Sequence, residues 1–426
     1  MIDIKFLREH PDSVKENIKK KFQDDKQKHI DEVLKKDITW RKLKGEADTL
    51  RAERNKVSKE ISELKKAGKS VEAAMKRAQK IPQSLEEIEA KSNALEEDIH
   101  KLLVKIPNMI HKNVPIGKDS KENVELKQIG KQPKFTFPVK SHVELGESLG
   151  LLDFTSSAQT SGNGFYYIQG DLALLNQALL RYALDNMINK GYVYVETPYM
   201  LHSAVINNVT DLHDQKNMIY KIQDEDLYLI GTSEHALIGR YIDSILKEKQ
   251  LPLKQTSYSM CFRKEVGSHG IDEKGIYRTH QFNKIEMIVI CRPEDSMKLF
   301  EEMKSITLQI FSSLGVPIRE LAICSGDLGD LKHIQIDIEA WSPRKKEYFE
   351  VGSCSNLTNA QAKLLKIRAD GKEGKYTPHT LNNTAIATSR AMVAILENYQ
   401  QKDGTIKIPD VLVPYMHGKR TIEKQK

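Results

Sequence analysis

Cysteine is scarce in this 426-residue chain. The four present, Cys261, Cys291, Cys324 and Cys354, lie 30 to 33 residues apart and form no CxxC pair. That excludes a disulfide framework and a zinc knuckle, so no structural zinc is expected, and it points to a reducing compartment. No run of about 18 apolar residues occurs, so no segment reads as a membrane-spanning helix. The opening residues, MIDIKFLREHPDSVKENIKKK, contain no apolar core of a secretory signal, and the cytoplasm is the expected location. Neither GxGxxG nor GxxxxGK followed by Ser or Thr is present, which removes the Rossmann and P-loop signatures.

Apolar residues are also few, at 39%, against 29% charged. Such polarity calls for a disordered stretch or a long exposed helix. The net charge of +7 is unevenly spread. Residues 41–80 hold 13 basic and 6 acidic side chains, whereas 81–110 hold 3 and 6. A polyanion such as nucleic acid is a reasonable partner. A charge run alone is more often a solvated helix face.

What the N-terminal part does contain is a heptad pattern. Trp40, Leu43, Ala47, Leu50, Val57, Ile61 and Leu64 alternate spacings of three and four, with Arg54 in one slot. Gly68 marks a turn. Val71, Ala74, Ala78, Ile81, Leu85, Ile88, Leu95, Ile99, Leu102 and Ile106 continue the pattern, with Ser92 in one slot. Two helices joined by a short turn make an antiparallel coiled-coil hairpin over about residues 40–106. The first would run from about 40 to 66 and project about 40 Å. Pro82 is expected to kink or interrupt the second. Residues 1–39 read as a small helical cap, and 1–110 as one domain.

The pattern changes after residue 110. Residues 113–165 read as linker and loops. Residues 171–190 form an amphipathic helix, and 192–197 a strand closed by Pro198. Further strands are expected at 226–232, 256–263, 277–290, 334–341 and 347–353, with helices near 233–248, 293–314 and 384–400. The stretch 256–290 reads as a long hairpin. This suggests an α+β domain over 111–426, built on an antiparallel sheet.

The hairpin carries most of the chemistry. Arg263 and Glu265 are two apart, which on a strand is one face. After a loop from Gly267 to Gly275, Arg278, Phe282 and Glu286 again share a face. Charged groups on a central strand are costly unless paired or used. Arginines, acids and a planar ring together suit a nucleotide. Further groups are Thr232 and Glu234 in GTSEH, Glu350 with Gly352 and Ser353 in EVGSCSN, and Arg390 near the start of an apolar helix. A buried arginine there needs an anion.

In order along the chain, these segments resemble the class II aminoacyl-tRNA synthetases, and more narrowly the seryl-tRNA synthetases. The match runs through the N-terminal arm, a motif 1 ending at Pro198, TSE at 232–234, FRKE and YRTHQFNKIE of motif 2, EVGSCSN at 350–356, and NNTAIATSRAMVAILENYQ of motif 3. HTLNNTAIATSR resembles the archaeal and eukaryotic branch. The resemblance implies a class II antiparallel sheet flanked by helices, with a coiled-coil arm.

It also implies the roles. Arg263 would hold the α-phosphate of ATP and the serine carboxylate. Glu265 would sit at the adenine, with Phe282 stacked on it, and Arg278 would reach the γ-phosphate. Arg390 would clamp the phosphates from the opposite side. Glu350 and Ser353 would hold Mg²⁺ with the phosphates. The neighbouring Lys264, Thr279, His280, Gln281, Val351 and Gly352 complete the implied ATP site. Glu234 and Glu286 would bind the serine ammonium and hydroxyl, with Thr232 and Ser233 beside them and Thr384 and Asn382 lining the hydroxyl pocket. The sequence departs from the pattern at Gly352, where many relatives carry serine, and at Ser389, where others carry glycine. Pro82 is a third departure.

The implied activity is that of an ATP-dependent ligase. Serine and ATP give seryl-adenylate and pyrophosphate, and the seryl group then passes to tRNA(Ser), and to tRNA(Sec) where it exists. The arm would lie on the tRNA, with Lys42, Arg51, Arg54, Lys56 and Lys65 as candidate contacts. The family implies a homodimer, with neither DNA nor membrane as partner.

Overall fold

The computed structural model describes residues 2–210, 217–265 and 275–424. They divide into two compact units, Met1–Met109 and Ile110–Lys426. In the first, the Asp3 carboxylate caps α1 (Ile4–Glu9) by accepting from the Lys5 N–H at 2.7 Å. Pro11 opens α2 (Pro11–Lys20) at a position whose N–H has no intrahelical acceptor. Two long helices follow, α3 (Gln27–Lys66) and α4 (Glu72–Leu103).

The first long helix therefore starts thirteen residues before the expected position. Ile30 and Val33 extend its apolar stripe and pack with Leu7, Val14 and Ile18 and with Ile99, Leu102 and Leu103 of α4. Within this root the buried Asp37 carboxylate accepts two bonds from Arg8, at 2.7 and 2.6 Å, and one from Arg41 at 3.0 Å. Forty residues at 1.5 Å each make α3 about 60 Å long, not 40. Further out, Ala47, Val57, Ala74 and Ile81 are buried, with Leu50, Ile61, Leu64 and Ala78 against them. These are the heptad positions. Gly68 turns the chain at φ +64°, and the Lys69 N–H closes the end of α3 on the Leu64 carbonyl at 3.0 Å. Pro82 does not interrupt α4. Its ring is exposed, where water can replace the missing amide bond.

The second unit is built on an eight-stranded sheet. In chain order its strands are β1 (Val124–Ile129), β2 (Val193–Tyr194), β3 (Leu253–Phe262), β4 (Gln281–Cys291), β5 (Ile318–Ala322), β6 (Ile334–Ser342), β7 (Glu347–Asn356) and β8 (His379–Ala387). In space they run β1-β5-β6-β7-β8-β4-β3-β2. Every pair is antiparallel except β2 on β3. The hairpin expected over 256–290 is β3 and β4, in register from Leu253 opposite Ile290 to Phe262 opposite Gln281.

Several boundaries differ from the sequence reading. Residues 113–165 are not only linker: they supply the edge strand β1 and α5 (His142–Ser148). The expected strand 226–232 shrinks to Tyr228–Leu229, and the helix expected at 233–248 is α7 (Ser233–Gly239). The helix expected from 384 begins as α10 (Thr388–Tyr399), because His379–Ala387 is the central strand β8. Helices α6 (Gly170–Asn189), α8 (Ser296–Ser313) and α10 close the core. Leu175 and Leu179, Phe300 and Phe311, and Met392 and Ile395 meet Ile285, Met287 and Ile338 of the sheet. Among the described residues no helix is long and apolar enough to cross a membrane.

Candidate active site

The centre of the sheet presents one face as a cleft. On β4, Phe282, Lys284 and Glu286 alternate onto that face, while Ile285 and Met287 enter the core. On β8, Thr384 stands opposite Glu286, and a bulge follows it. Asn383, one residue earlier, points the other way and donates to the Met303 carbonyl and the Thr307 hydroxyl of α8. On β7, Glu350 lies at a second bulge, where the register shifts between Ile338 and Glu339 of β6. Both bulges redirect side chains at the centre of the sheet, where function often concentrates.

Arg263 and Glu265 reach this cleft from beyond a strand end. β3 stops at Phe262, and Glu265 adopts a left-handed conformation at φ +47°. Arg278 likewise precedes β4. The shared strand face expected for these residues is replaced by two loop ends that meet. Arg278 Nη1 donates to Glu265 Oε2 at 2.9 Å. The Arg263 guanidinium donates to the Gly231 carbonyl at 3.1 Å and stands 5.3 Å from the centre of the Phe282 ring. The loop expected from Gly267 lies outside the described residues up to residue 274.

On the opposite wall, Arg390 is in the first turn of α10. Its Nη1 lies 3.1 Å from Glu350 Oε2 and donates to the Glu350 carbonyl at 3.0 Å. Its guanidinium is 5.0 Å from the Tyr277 ring. Burial works to raise the Glu350 carboxyl, but Arg390, helped by Arg263 and Lys332, outweighs it and holds Glu350 below the usual carboxylate range. The guanidinium is correspondingly raised: desolvation acts to lower it, and Glu350 overcomes that. Behind Glu350, burial and the Glu350 charge push Asp337 up to about 7.

The floor of the cleft is a carboxylate pair. Glu286 Oε2 contacts the Lys284 ammonium and accepts from the hydroxyls of Thr232 at 3.3 Å and Thr384 at 3.4 Å. Thr232 also caps α7, accepting from the Glu234 N–H at 3.3 Å. Glu234 accepts at Oε1 from Asn382 at 2.7 Å. Burial, and then the Glu286 charge, raise its pKa. Next to it, burial and the cations Lys284 and Arg263 push the His235 imidazole down to about 3, which keeps it neutral.

Ten of the residues singled out from sequence thus line one cleft: Arg263, Glu265, Arg278, Thr279, Phe282, Glu350, Val351, Gly352, Thr384 and Arg390. Thr232, Glu234, Glu286 and Asn382 form the network at its floor. Ser353 hydrogen-bonds Asp337, its partner across β6 and β7. Others turn elsewhere. The Ser233 hydroxyl points to the Ser257 carbonyl. The Lys264 ammonium lies 5.9 Å from the Tyr220 ring. His280 Nδ1 meets the Arg263 carbonyl at 3.0 Å, and Gln281 lines a separate cavity beside Tyr166 and Asn176.

Lys284, Tyr277 and Asp337 were not singled out from sequence. The two-residue alternation that linked Phe282 to Glu286 passes through Lys284 and would have found it. Gly352 also finds a reason. A Cβ there would meet Thr307 Cγ2 at 3.2 Å and the Thr384 carbonyl at 3.3 Å, so Thr307 occupies the room a side chain would need.

In the arm, Lys42 lies 3.9 Å from Glu46. Arg51 is engaged twice, with Asp48 and with Glu89 of α4, both at 2.6 Å. Arg54, Lys56 and Lys65 are exposed and carry no ion pair among the described residues.

An antiparallel sheet whose central strands hold a carboxylate floor, with arginines facing each other over it from a loop and a helix start, defines the core of a class II aminoacyl-tRNA synthetase. The family description "tRNA synthetase class II core domain (G, H, P, S and T)" matches residues 220–399. "Seryl-tRNA synthetase N-terminal domain" matches residues 1–110. The serine–tRNA ligase of Methanospirillum hungatei is 46% identical over 98% of this chain and 99% of its own. The crystal structure of seryl-tRNA synthetase from Pyrococcus horikoshii complexed with ATP superposes with a TM-score of 0.93 at 41% identity, covering both chains completely. The cytoplasmic serine–tRNA ligase of Naegleria fowleri in complex with AMP gives 0.88 at 31% identity, over 100% and 99%. The chain belongs to the seryl-tRNA synthetase family.

Proposed function

We propose that the chain is an ATP-dependent ligase that activates L-serine and transfers it to tRNA(Ser). The convergence of Arg263, Arg278 and Phe282, of Glu350, and of Thr384 and Arg390 on one cleft with facing cations carries this reading. Arg263 takes the α-phosphate and the serine carboxylate, Arg390 clamps the phosphates from the opposite side, Arg278 takes the γ-phosphate, and Phe282 and Glu265 receive the adenine. Glu234 and Glu286 hold the serine ammonium and hydroxyl. The serine carboxylate attacks the α-phosphorus and the bond to pyrophosphate breaks; the tRNA terminal hydroxyl then attacks the seryl carbonyl and AMP leaves. Positioning and fixed positive charge carry the reaction, so no protein nucleophile is needed.

Glu350, Ser353 and Asp337 are hard oxygen donors, the chemistry Mg²⁺ takes. The pressure of Glu350 on Asp337 is what a divalent cation would relieve. Mg²⁺ arriving with ATP would be held by Glu350 and Ser353 and would neutralise phosphate charge. Among the described residues no group of three or more His, Cys, Asp or Glu side chains could hold a metal ion.

The basic stretch 41–80 gives the arm its role as the tRNA-binding element, and the working form is a cytoplasmic homodimer. Serine-dependent exchange of pyrophosphate into ATP tests the activation half, and charging of total tRNA tests the transfer half. Absence of exchange with serine at saturating ATP and Mg²⁺ refutes the reading.

A further inference from the structure

A buried amide stands behind the serine pocket. Gln361 lies in the short helix α9 (Ala360–Leu364), just past the end of EVGSCSN and outside each motif described above, and is 1% exposed. Its Nε2 donates to Glu234 Oε1 at 2.7 Å and to the Val209 carbonyl at 3.1 Å. Its Oε1 accepts from the Thr380 hydroxyl at 2.8 Å. This orientation is the one the surroundings permit. Turned over, the amide oxygen would face a carboxylate and a carbonyl, neither of which can donate.

Asn382 Nδ2 donates to the same Oε1 of Glu234, also at 2.7 Å. Two amides therefore saturate one oxygen of the carboxylate. No described residue bonds the other. We infer that Gln361 is a positioning residue for the serine pocket, locking the Glu234 carboxylate so that Oε2 is presented to the amino acid. The inference rests on the reading of Glu234 as a serine-binding residue.

The electrostatics point the same way. Burial and Glu286 favour a neutral Glu234 carboxyl, and the Gln361 hydrogen bond opposes them. A serine ammonium needs an anion opposite it. An amide donor stabilises that anion without the net charge that would compete with the ammonium. A purely structural role, tying α9 to Val209, would disturb serine and ATP alike.

The test uses the full-length protein and pyrophosphate exchange, with serine and ATP varied separately. Gln361→Met keeps the shape and removes both donors. Loss of a hydrogen bond to a charged group predicts a rise of about tenfold in KM for serine, with KM for ATP unchanged. That rise should grow as pH falls, since Glu234 would protonate more readily. Thr380→Val removes only the hydroxyl that locks the amide, and should give a smaller rise of the same kind. It serves if Gln361→Met does not fold. Glu234→Gln separates the layers. If it leaves KM for serine unchanged, the assignment of Glu234 fails and the inference with it. If it raises KM for serine but Gln361→Met and Thr380→Val do not, the inference alone is overturned. Parallel rises in both KM values also overturn it.

Discussion

Arg390 meets Glu350 twice, through the carboxylate at 3.1 Å and the main-chain carbonyl at 3.0 Å. One bond fixes the guanidinium to the strand, and the other balances its charge. Both contacts come from Nη1, so a lysine could keep the charge and this anchor, but not the planar set of further donors that a guanidinium presents to phosphate. Arg390→Lys should therefore lower the rate of serine-dependent pyrophosphate exchange almost as far as Arg390→Ala, by about 100-fold or more. Retention of more than half the activity in the lysine variant would show that charge alone suffices.

Gly352 and Thr307 share one space. Gly352→Ala places a methyl 3.2 Å from Thr307 Cγ2 and should cost about 1 kcal/mol in urea unfolding. Thr307→Ser removes that methyl while keeping the hydroxyl that donates to the Thr384 carbonyl at 2.8 Å. The double variant should be more stable than the sum of the two single changes predicts. Strict additivity would mean that the glycine answers to some other neighbour.

Two histidines, His235 buried and His379 partly buried, contribute to the acid side of stability. His235 is pushed down to about 3 by burial, Lys284 and Arg263, and His379 to about 4 by burial, His333 and other charges. Both lie below the value near 6.5 of an unfolded chain. The unfolded state therefore binds the extra protons first. Stability from these groups is complete above pH 6.5 and is lost as pH falls toward 4. Each contributes a slope of about 1.4 kcal/mol per pH unit in that window. His379→Asn should remove one histidine's share of the slope, read from urea midpoints between pH 6.5 and 4.5. An unchanged slope would contradict the burial argument.

The arm offers a charge experiment. Arg54, Lys56 and Lys65 changed together to glutamate should cut tRNA charging more than tenfold, flatten its salt dependence and leave pyrophosphate exchange unchanged. Arg51 is a poorer probe, because Asp48 and Glu89 already hold it. A truncation should remove residues between Leu43 and Leu95 and spare the root formed by Ile30, Val33, Ile99 and Leu102. Loss of exchange in either variant would link the arm to activation.

What could be read in advance follows from range. The heptad seam was legible because local periodicity determines a two-helix contact. The start of α3 was not, because Ile30 and Val33 are buried by α1 and α2 as well as by the facing helix, and that three-sided packing leaves no local repeat to read. His379–Ala387 could not be read as a strand from HTLNNTAIA alone, since its position between β7 and β4 supplies the pairing. In the site, Arg263, Glu286, Glu350 and Arg390 stood out because charges on apolar segments require a use. Asp337 and Gln361 did not, because each is explained only by a residue far away in sequence, Glu350 for one and Glu234 for the other.

The place of β8 also bears on how the protein comes into being. It is the last of the eight strands to leave the ribosome, yet it lies in the interior of the sheet, between β7 and β4. Until His379–Ala387 has been made, β1-β5-β6-β7 and β4-β3-β2 are two partial sheets with no shared partner. The wall that holds Arg390 follows immediately after. A nascent chain cut short before that strand lacks the one strand that pairs with both halves, and with it the Thr384 side of the cleft. By this order of assembly, translation must run nearly to its end before the protein can begin to supply it.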